Sequence, residues 1–316
     1  MSIVALTGGV GGAKLALGLQ RVLAPDALVL VVNTGDDFVH LGLHVSPDID
    51  TVVYTLTGLV NVETGWGRAD ETWTFMQALA GLGGETWFRL GDGDLAMHVE
   101  RTRRLAAGES LSAVTAHLAR RLGLGVKILP MSDDPVRTRI VTADGELDFQ
   151  NYFVERRCVP VVTALGYAGA DTARPAPGVL EALRAPGLEA VVICPSNPWL
   201  SIDPILAVPA LRVALHDCAA PVIAVSPLVG GQAVKGPTAK IMAELGMPVY
   251  AAAVARHYEG LLDGFVLDER DAGDAAQIGV PVCIADTLMR DLADRERLAR
   301  TTLEFAGTLA GGRGAP

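Results

Sequence analysis

Leu6-Thr7-Gly8-Gly9-Val10-Gly11-Gly12-Ala13-Lys14-Leu15 decides how this chain folds. It follows a short apolar run, Ile3-Val4-Ala5-Leu6, that reads as a buried strand. Four glycines within Gly8 to Gly12 let the backbone turn sharply and approach a ligand with no Cβ in the way. Leu15, Leu19, Val22 and Leu23 then recur at helical spacing, which predicts a helix from about Gly12. A strand, a glycine turn and a helix N-terminus together aim unpaired amides at one point, which suits a phosphate. The bland alternative is a tight strand-to-helix turn that holds nothing.

Neither standard phosphate loop fits. A Walker A loop needs Gly-Lys-Ser/Thr, and the chain has Ala13-Lys14-Leu15, without the magnesium hydroxyl. The dinucleotide fingerprint, begun at Gly9 and Gly11, needs its third glycine where Lys14 stands. Downstream, the apolar run Leu28 to Val32 ends in Asn33-Thr34-Gly35-Asp36-Asp37, so two acids fall where a neighbouring parallel strand should end. Ligands of open α/β sheets bind beyond those ends. Ser46-Pro47-Asp48-Ile49-Asp50 then reads as a helix start, with Ser46 as N-cap, Pro47 in the first turn, and Val52, Val53, Leu56 and Val60 on the buried side. Asp48 reads as a complement to the helix dipole. Asp50 reads as a site acid that joins Asp36 and Asp37 in a cation site.

Working outward, residues 61–125 read as mainly helical: a turn at Gly65 to Arg68, then helices over Asp70 to Leu82, from Asp92 or Asp94 to Ala106, and from Ser110 or Ser112 to Leu122. Thr86 to Leu90 reads as a short extended piece whose Trp and Phe serve the core or a lid over a flat ligand. His98 and His117 read as structural. Strand Val126 to Leu129 precedes a hairpin, Val136 to Thr142 and Leu147 to Phe153, turning at Ala143-Asp144-Gly145-Glu146. Residues 166–178 read as a loop. The α/β rhythm resumes with strands at Ala190 to Cys194, Val222 to Val225, Phe265 to Asp268 and Val282 to Ala285, then a helix from Thr287 to Ala306. The tail from Gly311 to Pro316 reads as disordered. Each strand ends in small polar residues, Ser196-Asn197 among them, along one edge of the sheet. The expected architecture is one Rossmann-like α/β domain over 1–316, a mainly parallel sheet with helices on both faces. A helical and hairpin insertion at about 61–178 is expected to cover the cleft.

The 316 residues are 50% hydrophobic, enough for a large core, and a mean hydropathy of +0.34 fits a parallel sheet buried on both faces. No apolar run nears the ~18 residues of a membrane span, and Met1-Ser2 leads into a strand rather than a signal peptide. Cys158, Cys194, Cys218 and Cys283 are too scattered for a metal or redox pair, as expected of reduced thiols in a cytoplasmic protein. A net charge of −10 argues against nucleic acid as a partner, so the Arg pairs at 103–104, 120–121 and 156–157 read as solvated charges.

These segments, with Leu90-Gly91-Asp92-Gly93-Asp94, Leu129 to Val136, Pro195-Ser196-Asn197-Pro198, Ser226-Pro227, Val234-Lys235-Gly236-Pro237 and Asp286-Thr287-Leu288-Met289, resemble the 2-phospho-L-lactate transferase family (CofD, or FbiA in actinobacteria) of coenzyme F420 biosynthesis. The resemblance spans nearly the whole chain in family order. It implies transfer of a phosphorylated three-carbon acid from a guanosine diphosphate-type donor to the ribityl hydroxyl of Fo, a deazaflavin, with GMP leaving and Mg²⁺ required. It further implies small-molecule substrates, a homodimer, Asp37 and Asp50 as catalytic acids that hold Mg²⁺ with Asp36 nearby, and Asp50 and Arg89 bordering Fo. Gly8, Gly9, Gly11, Gly12 and Lys14 would hold donor phosphates, and Ser196 and Asn197 the guanosine. It leaves open which acid takes the proton and what Lys235 does. The three-carbon acid (2-phospho-L-lactate, phosphoenolpyruvate or 3-phosphoglycerate) is not legible in spacing. A rival is a nucleotide-sugar-binding regulator of the gluconeogenesis-factor type. That family would carry a Gly/Ser-rich loop after its paired acids, where this chain has Phe38 to His44. A nicotinamide oxidoreductase is disfavoured by Lys14 in place of the third glycine.

Overall fold

The computed structural model describes residues 2–309; the tail expected to be disordered, Gly311 to Pro316, lies outside them. The chain opens with β1 (Ser2–Thr7), α1 (Gly9–Val22) and β2 (Leu28–Val32), then a small hairpin, β3 (Phe38–His40) and β4 (Leu43–Val45), and α2 (Pro47–Thr57). Helices α3 (Thr74–Gly81), α4 (Asp92–Ala106) and α5 (Leu111–Arg121) lead to β5 (Lys127–Pro130). Strands β6 (Arg137–Thr142), β7 (Gly145–Asp148) and β8 (Val162–Ala168) form a separate antiparallel sheet. The second half runs α6 (Val179–Leu183), β9 (Leu188–Ile193), α7 (Asp203–Leu206), α8 (Pro209–His216) and β10 (Val222–Val225). It continues with the hairpin β11 (Leu228–Val229) and β12 (Gln232–Ala233), then α9 (Thr238–Glu244), α10 (Ala251–His257), β13 (Gly264–Asp268), β14 (Val282–Ala285) and α11 (Leu292–Leu309).

Seven strands make the central sheet, in the order β14-β13-β10-β9-β1-β2-β5, and every pairing in it is parallel. Alternate side chains of β1 and β9 enter opposite cores: Val4, Leu6, Val191 and Ile193 on one face, Ile3, Ala5, Ala190 and Val192 on the other. Helices α1, α2 and α11 cover the second face through Leu15, Leu19, Val52 and Leu298. Helices α8, α9 and α10 cover the first through Leu215, Ile241 and Val254. This is the doubly covered parallel sheet that the apolar runs predict. Among the described residues no single helix is long and apolar enough to cross a membrane. No disulfide joins the four cysteines; Cys194 and Cys218 are buried, Cys158 and Cys283 half-buried.

Several elements depart from the sequence reading for local reasons. Helix α1 begins at Gly9, earlier than expected, because Gly9 takes φ +61°, a turn open to glycine. Helix α2 stops at Thr57, since Gly58 at φ +74° reverses the chain before Val60. The hairpin β3–β4 was not legible, because its turn places Leu41 (φ +52°) before Gly42 (φ +76°) where Asn-Gly would announce it. Helices α3 and α4 cap each other: the Asp92 carboxylate accepts the Thr74 and Phe75 amides at 3.1 Å each, and Glu71 accepts those of Gly93 and Asp94 at 2.6 and 2.8 Å. Asp92 therefore starts α3 in space, though in sequence it is the first residue of α4. Thr86 to Leu90 forms bends rather than a strand, and β8 occupies the start of the expected 166–178 loop. The segment 61–178 is not wholly an insertion, because β5 within it is the edge strand of the central sheet.

Gly18 marks the tightest helix contact, where a Cβ would fall on the Arg295 carbonyl of α11. Gly18→Ala should lower the thermal midpoint followed by circular dichroism, since overpacking costs about 1–3 kcal/mol. Gly81→Ala, which meets open space, should leave the midpoint unchanged or raise it.

Candidate active site

The strand order reverses beside β1: β2 and β5 follow on one side, β9, β10, β13 and β14 on the other. A crevice therefore opens beyond the C-terminal ends of β1 and β9. It is a cleft of about 430 Å³ lined by Gly8 to Gly11 and Lys14, by Asp36 and Asp48, and by Ser196, Asn197 and Lys235. Trp66, Phe88, Phe149, Phe153, Leu288 and Met289 supply apolar walls. Part of the segment 61–178 thus forms a wall of the cleft.

The glycine turn is fitted to the end of β9. Ser196 Oγ accepts the Gly8 amide at 3.2 Å and donates to the Gly8 carbonyl at 2.8 Å. A Cβ on Gly11 would strike the Pro195 carbonyl, and one on Gly12 would strike Ser196 Oγ and Thr7 Oγ1. Gly12 lies behind the cleft, packed in the wall. These glycines are required by protein packing before any ligand is considered. The Gly9 amide donates to Asp48 Oδ1 at 2.6 Å, so one amide of the turn is already taken. Asn197 also works inside the protein: its Oδ1 accepts the Trp199 and Leu200 amides and its Nδ2 donates to Thr238 Oγ1.

The acids divide into two groups, and not as the sequence suggests. Asp48, read as a dipole complement, faces the cleft and also accepts Asn33 Nδ2 at 2.9 Å. Burial pushes its carboxyl up to about 6, against the pull of Asn33 and the Gly9 amide, while the Asp37 charge adds to the rise. Asp36 is raised well above the carboxylate range, first by burial, then by the charges of Asp48 and Asp37. Asp37 Oδ2 accepts Ser46 Oγ at 2.8 Å and meets His44 Nε2 at 3.0 Å. Its Oδ1 is buried without a hydrogen-bond partner. Buried like charges and an orphaned carboxylate oxygen are what a divalent cation would satisfy. Asp36, Asp37 and Asp48 offer the hard carboxylate oxygens that a divalent cation prefers. Among the described residues no three His, Cys, Asp or Glu side chains form a ready-made metal cage.

Asp50 stands apart, with both oxygens engaged by the Arg101 guanidinium, which is 1% exposed. Arg101 can only donate, so His98 Nδ1, 3.2 Å away, accepts. His98 then carries its proton on Nε2, which faces Asp94 Oδ2 at 3.2 Å, and Tyr54 donates to Asp94 Oδ1 at 2.7 Å. Burial works against the Asp94 charge, yet His98, Tyr54 and Arg101 hold its carboxyl below the ordinary range. Arg101 also donates to the His44 carbonyl at 3.4 Å, which links this buried network to the histidine that meets Asp37. Asp37 and Asp50 therefore do not line the cleft together; each is anchored from behind. Arg89 is exposed and stacks on Trp73, 4.1 Å from the ring centroid, outside the cleft lining. His117 bonds Arg104 at 2.9 Å.

Cations line the same cleft. Lys14 Nζ donates to the Met289 carbonyl at 2.9 Å, and its pKa is lowered by burial, then by Arg295 and Lys235. Phe88 meets Phe38 edge-on at 4.8 Å in an aromatic cluster with His40 and Trp87. Sequence reasoning missed Asp48 as a cleft residue. An acid in the first turn of a helix that follows a glycine-turn βαβ unit is the signal that marks it.

A family model described as 2-phospho-L-lactate transferase CofD matches residues 3–284. A phosphoenolpyruvate transferase of Streptomyces griseus is 46% identical over 316 residues, covering 97% of this chain and 98% of that protein. Similarly named proteins of Thermobifida fusca and of a Mycobacterium species are 42% and 39% identical, each over 97% of this chain and at least 98% of their own length. A crystal structure of a UPF0052 family protein from Bacillus halodurans shares the fold, with a TM-score of 0.60 at 16% identity, over 96% of this chain and 98% of that one.

Two outcomes follow from the charges. Asp36→Asn removes one of the repelling carboxylates; the raised carboxyl favours the fold at low pH and loses that advantage as pH rises through its folded value. In EDTA the variant should therefore melt several degrees above the parent at pH 8, with a smaller gain at pH 5, by scanning calorimetry. Arg101→Met alone should cost about 3–5 kcal/mol by denaturant titration, because it strands a buried carboxylate. Pairing it with Asp50→Leu should recover much of that loss.

Proposed function

The chain belongs to the 2-phospho-L-lactate transferase CofD family, and on that premise we propose that it transfers a phosphorylated three-carbon acid from a guanosine diphosphate-linked donor to the ribityl hydroxyl of Fo. The observation that carries this reading is the polarity of the switch-point cleft. The cleft holds a buried acid, Asp48, on the Gly9 amide, together with Lys14 and Lys235, which among the described residues have no acidic partner. The donor diphosphate lies toward Lys14 and the open first turn of α1, where cation and dipole act together. The acceptor lies toward Phe88 and the aromatic cluster behind it, which offers a flat ring system stacking area.

The reaction forms a phosphodiester. The ribityl oxygen attacks the phosphorus that bears the three-carbon acid, its bond to the GMP oxygen breaks, and GMP departs. The hydroxyl proton passes to a cleft carboxylate or to water. Such displacement needs in-line placement and neutralised charge more than a protein nucleophile. Lys14 offsets charge on the donor, and the bare turn lets its phosphates approach the backbone. Asp36, Asp37 and Asp48 are the residues that would hold Mg²⁺, which supplies charge neutralisation on the transferred phosphoryl oxygens. Asp50, in this reading, keeps the hairpin β3–β4 and the Asp37 side in register through Arg101. Arg89 reaches Fo only if its stack on Trp73 opens toward the cleft.

The relatives named phosphoenolpyruvate transferase favour the phosphoenolpyruvyl donor, with dehydro coenzyme F420-0 as product. A homodimer in the cytoplasm belongs to the same reading. Fo incubated separately with the GDP-linked phosphoenolpyruvyl, phospholactyl and phosphoglyceryl donors should give the phosphoenolpyruvyl product fastest by mass spectrometry. EDTA should stop it, and Asp48→Ala should slow it at least a hundredfold while the far-UV spectrum stays intact. No product from any donor would remove the transferase assignment.

A further inference from the structure

Two arms meet over the mouth of the cleft. One, residues 61–69 between α2 and α3, carries Thr64, Gly65 and Trp66. The other follows β12 and carries Lys235. A single bond joins them: Lys235 Nζ donates to the Thr64 carbonyl at 2.6 Å. The first arm is seated on the glycine turn itself. Gly65, at φ +80°, lies so close that a Cβ would stand 2.8 Å from Val10 Cγ1 and 2.9 Å from Lys235 Nζ. Lys235 is thereby held beside the start of α1, in the lining of the same cleft as Lys14.

Among the described residues neither lysine has an acidic partner there. Lys14 holds one backbone carbonyl and Lys235 another, and Lys235 is one of the charges that lower the Lys14 pKa. In a chain of net charge −10, two cations left on neutral carbonyls at one cleft stand out. A carbonyl offers an ammonium only a dipole, whereas a phosphate oxygen adds a full opposite charge.

We propose that Lys235 is a second anion-binding residue of the cleft, one that exchanges its tie to the Thr64 carbonyl for the diphosphate of the nucleotide donor. The inference rests on the donor reading above and deepens it. Lys14 grips the diphosphate from the helix side and Lys235 from the mouth. The exchange links occupancy of the cleft to release of the arm that carries Trp66.

The test is calorimetric titration of GDP and, separately, guanosine into the parent, Lys235→Ala and Lys235→Arg proteins in magnesium buffer. Lys235→Ala should weaken GDP about tenfold, roughly 1.4 kcal/mol, and leave guanosine unchanged. Lys235→Arg should stay within about threefold of the parent. The parent's GDP affinity should also fall more steeply with added KCl than that of Lys235→Ala. Equal GDP affinity in parent and Lys235→Ala overturns the inference alone. An equal loss for guanosine does so too, since it would mean that only the arm had come loose. A parent protein that binds no GDP overturns the donor reading and this inference together.

Discussion

Ser196 Oγ grips both the amide and the carbonyl of Gly8, and everything at the site hangs on that grip. It closes the end of β9 onto the end of β1, where the strand order reverses. The approach is possible only because Gly8, Gly11 and Gly12 carry no side chain: a Cβ there would meet Asp48 and Ser201, the Pro195 carbonyl, or Ser196 and Thr7. The turn reads as a ligand loop in sequence, and its first duty is to join two halves of a sheet. Whatever binds in the cleft meets a surface already fixed by protein contacts, so little ordering is left to be done on binding.

Around that joint the charges are sorted. Burial first, then repulsion among Asp36, Asp37 and Asp48, raises the carboxyls of Asp36 and Asp48. Lys14 and Lys235 line the same cleft and hold backbone carbonyls. A fold selected for stability alone would pair these groups with each other. Keeping them apart stores an imbalance that a phosphate and a divalent cation together would relieve. Behind the acids, Tyr54, Asp94, His98, Arg101 and Asp50 form one buried chain of polar contacts, with Arg101 Nε and His98 Nε2 left without a hydrogen-bond partner, and it anchors Asp50 away from the cleft.

Much of the fold was legible because buried parallel strands are continuous apolar runs. β1, β2, β5, β9, β10, β13 and β14 all fall on runs visible in the sequence. What escaped was decided by contacts distant in sequence. Helix α3 starts at a carboxylate, Asp92, that lies beyond its own end. The β3–β4 turn uses Leu41 where a turn former would be expected. At the site, the residue types and the strand ends were legible, but the direction of each acid was not. Asp48 and Asp50 sit on one helical turn, and a step of two residues rotates a side chain by about 200°. One therefore faces the cleft and the other faces Arg101. Only the position of Arg101, 51 residues downstream of Asp50, decides between them.

The fit of Gly12 against Ser196 has a consequence for how such a chain can diverge. The two stretches, whose Gly8 and Ser196 lie 188 positions apart, share one volume, so neither can drift alone. A larger residue in the first demands a smaller one in the second, and the intermediate carries the clash. Natural variation and laboratory libraries alike should cross this point only by paired change.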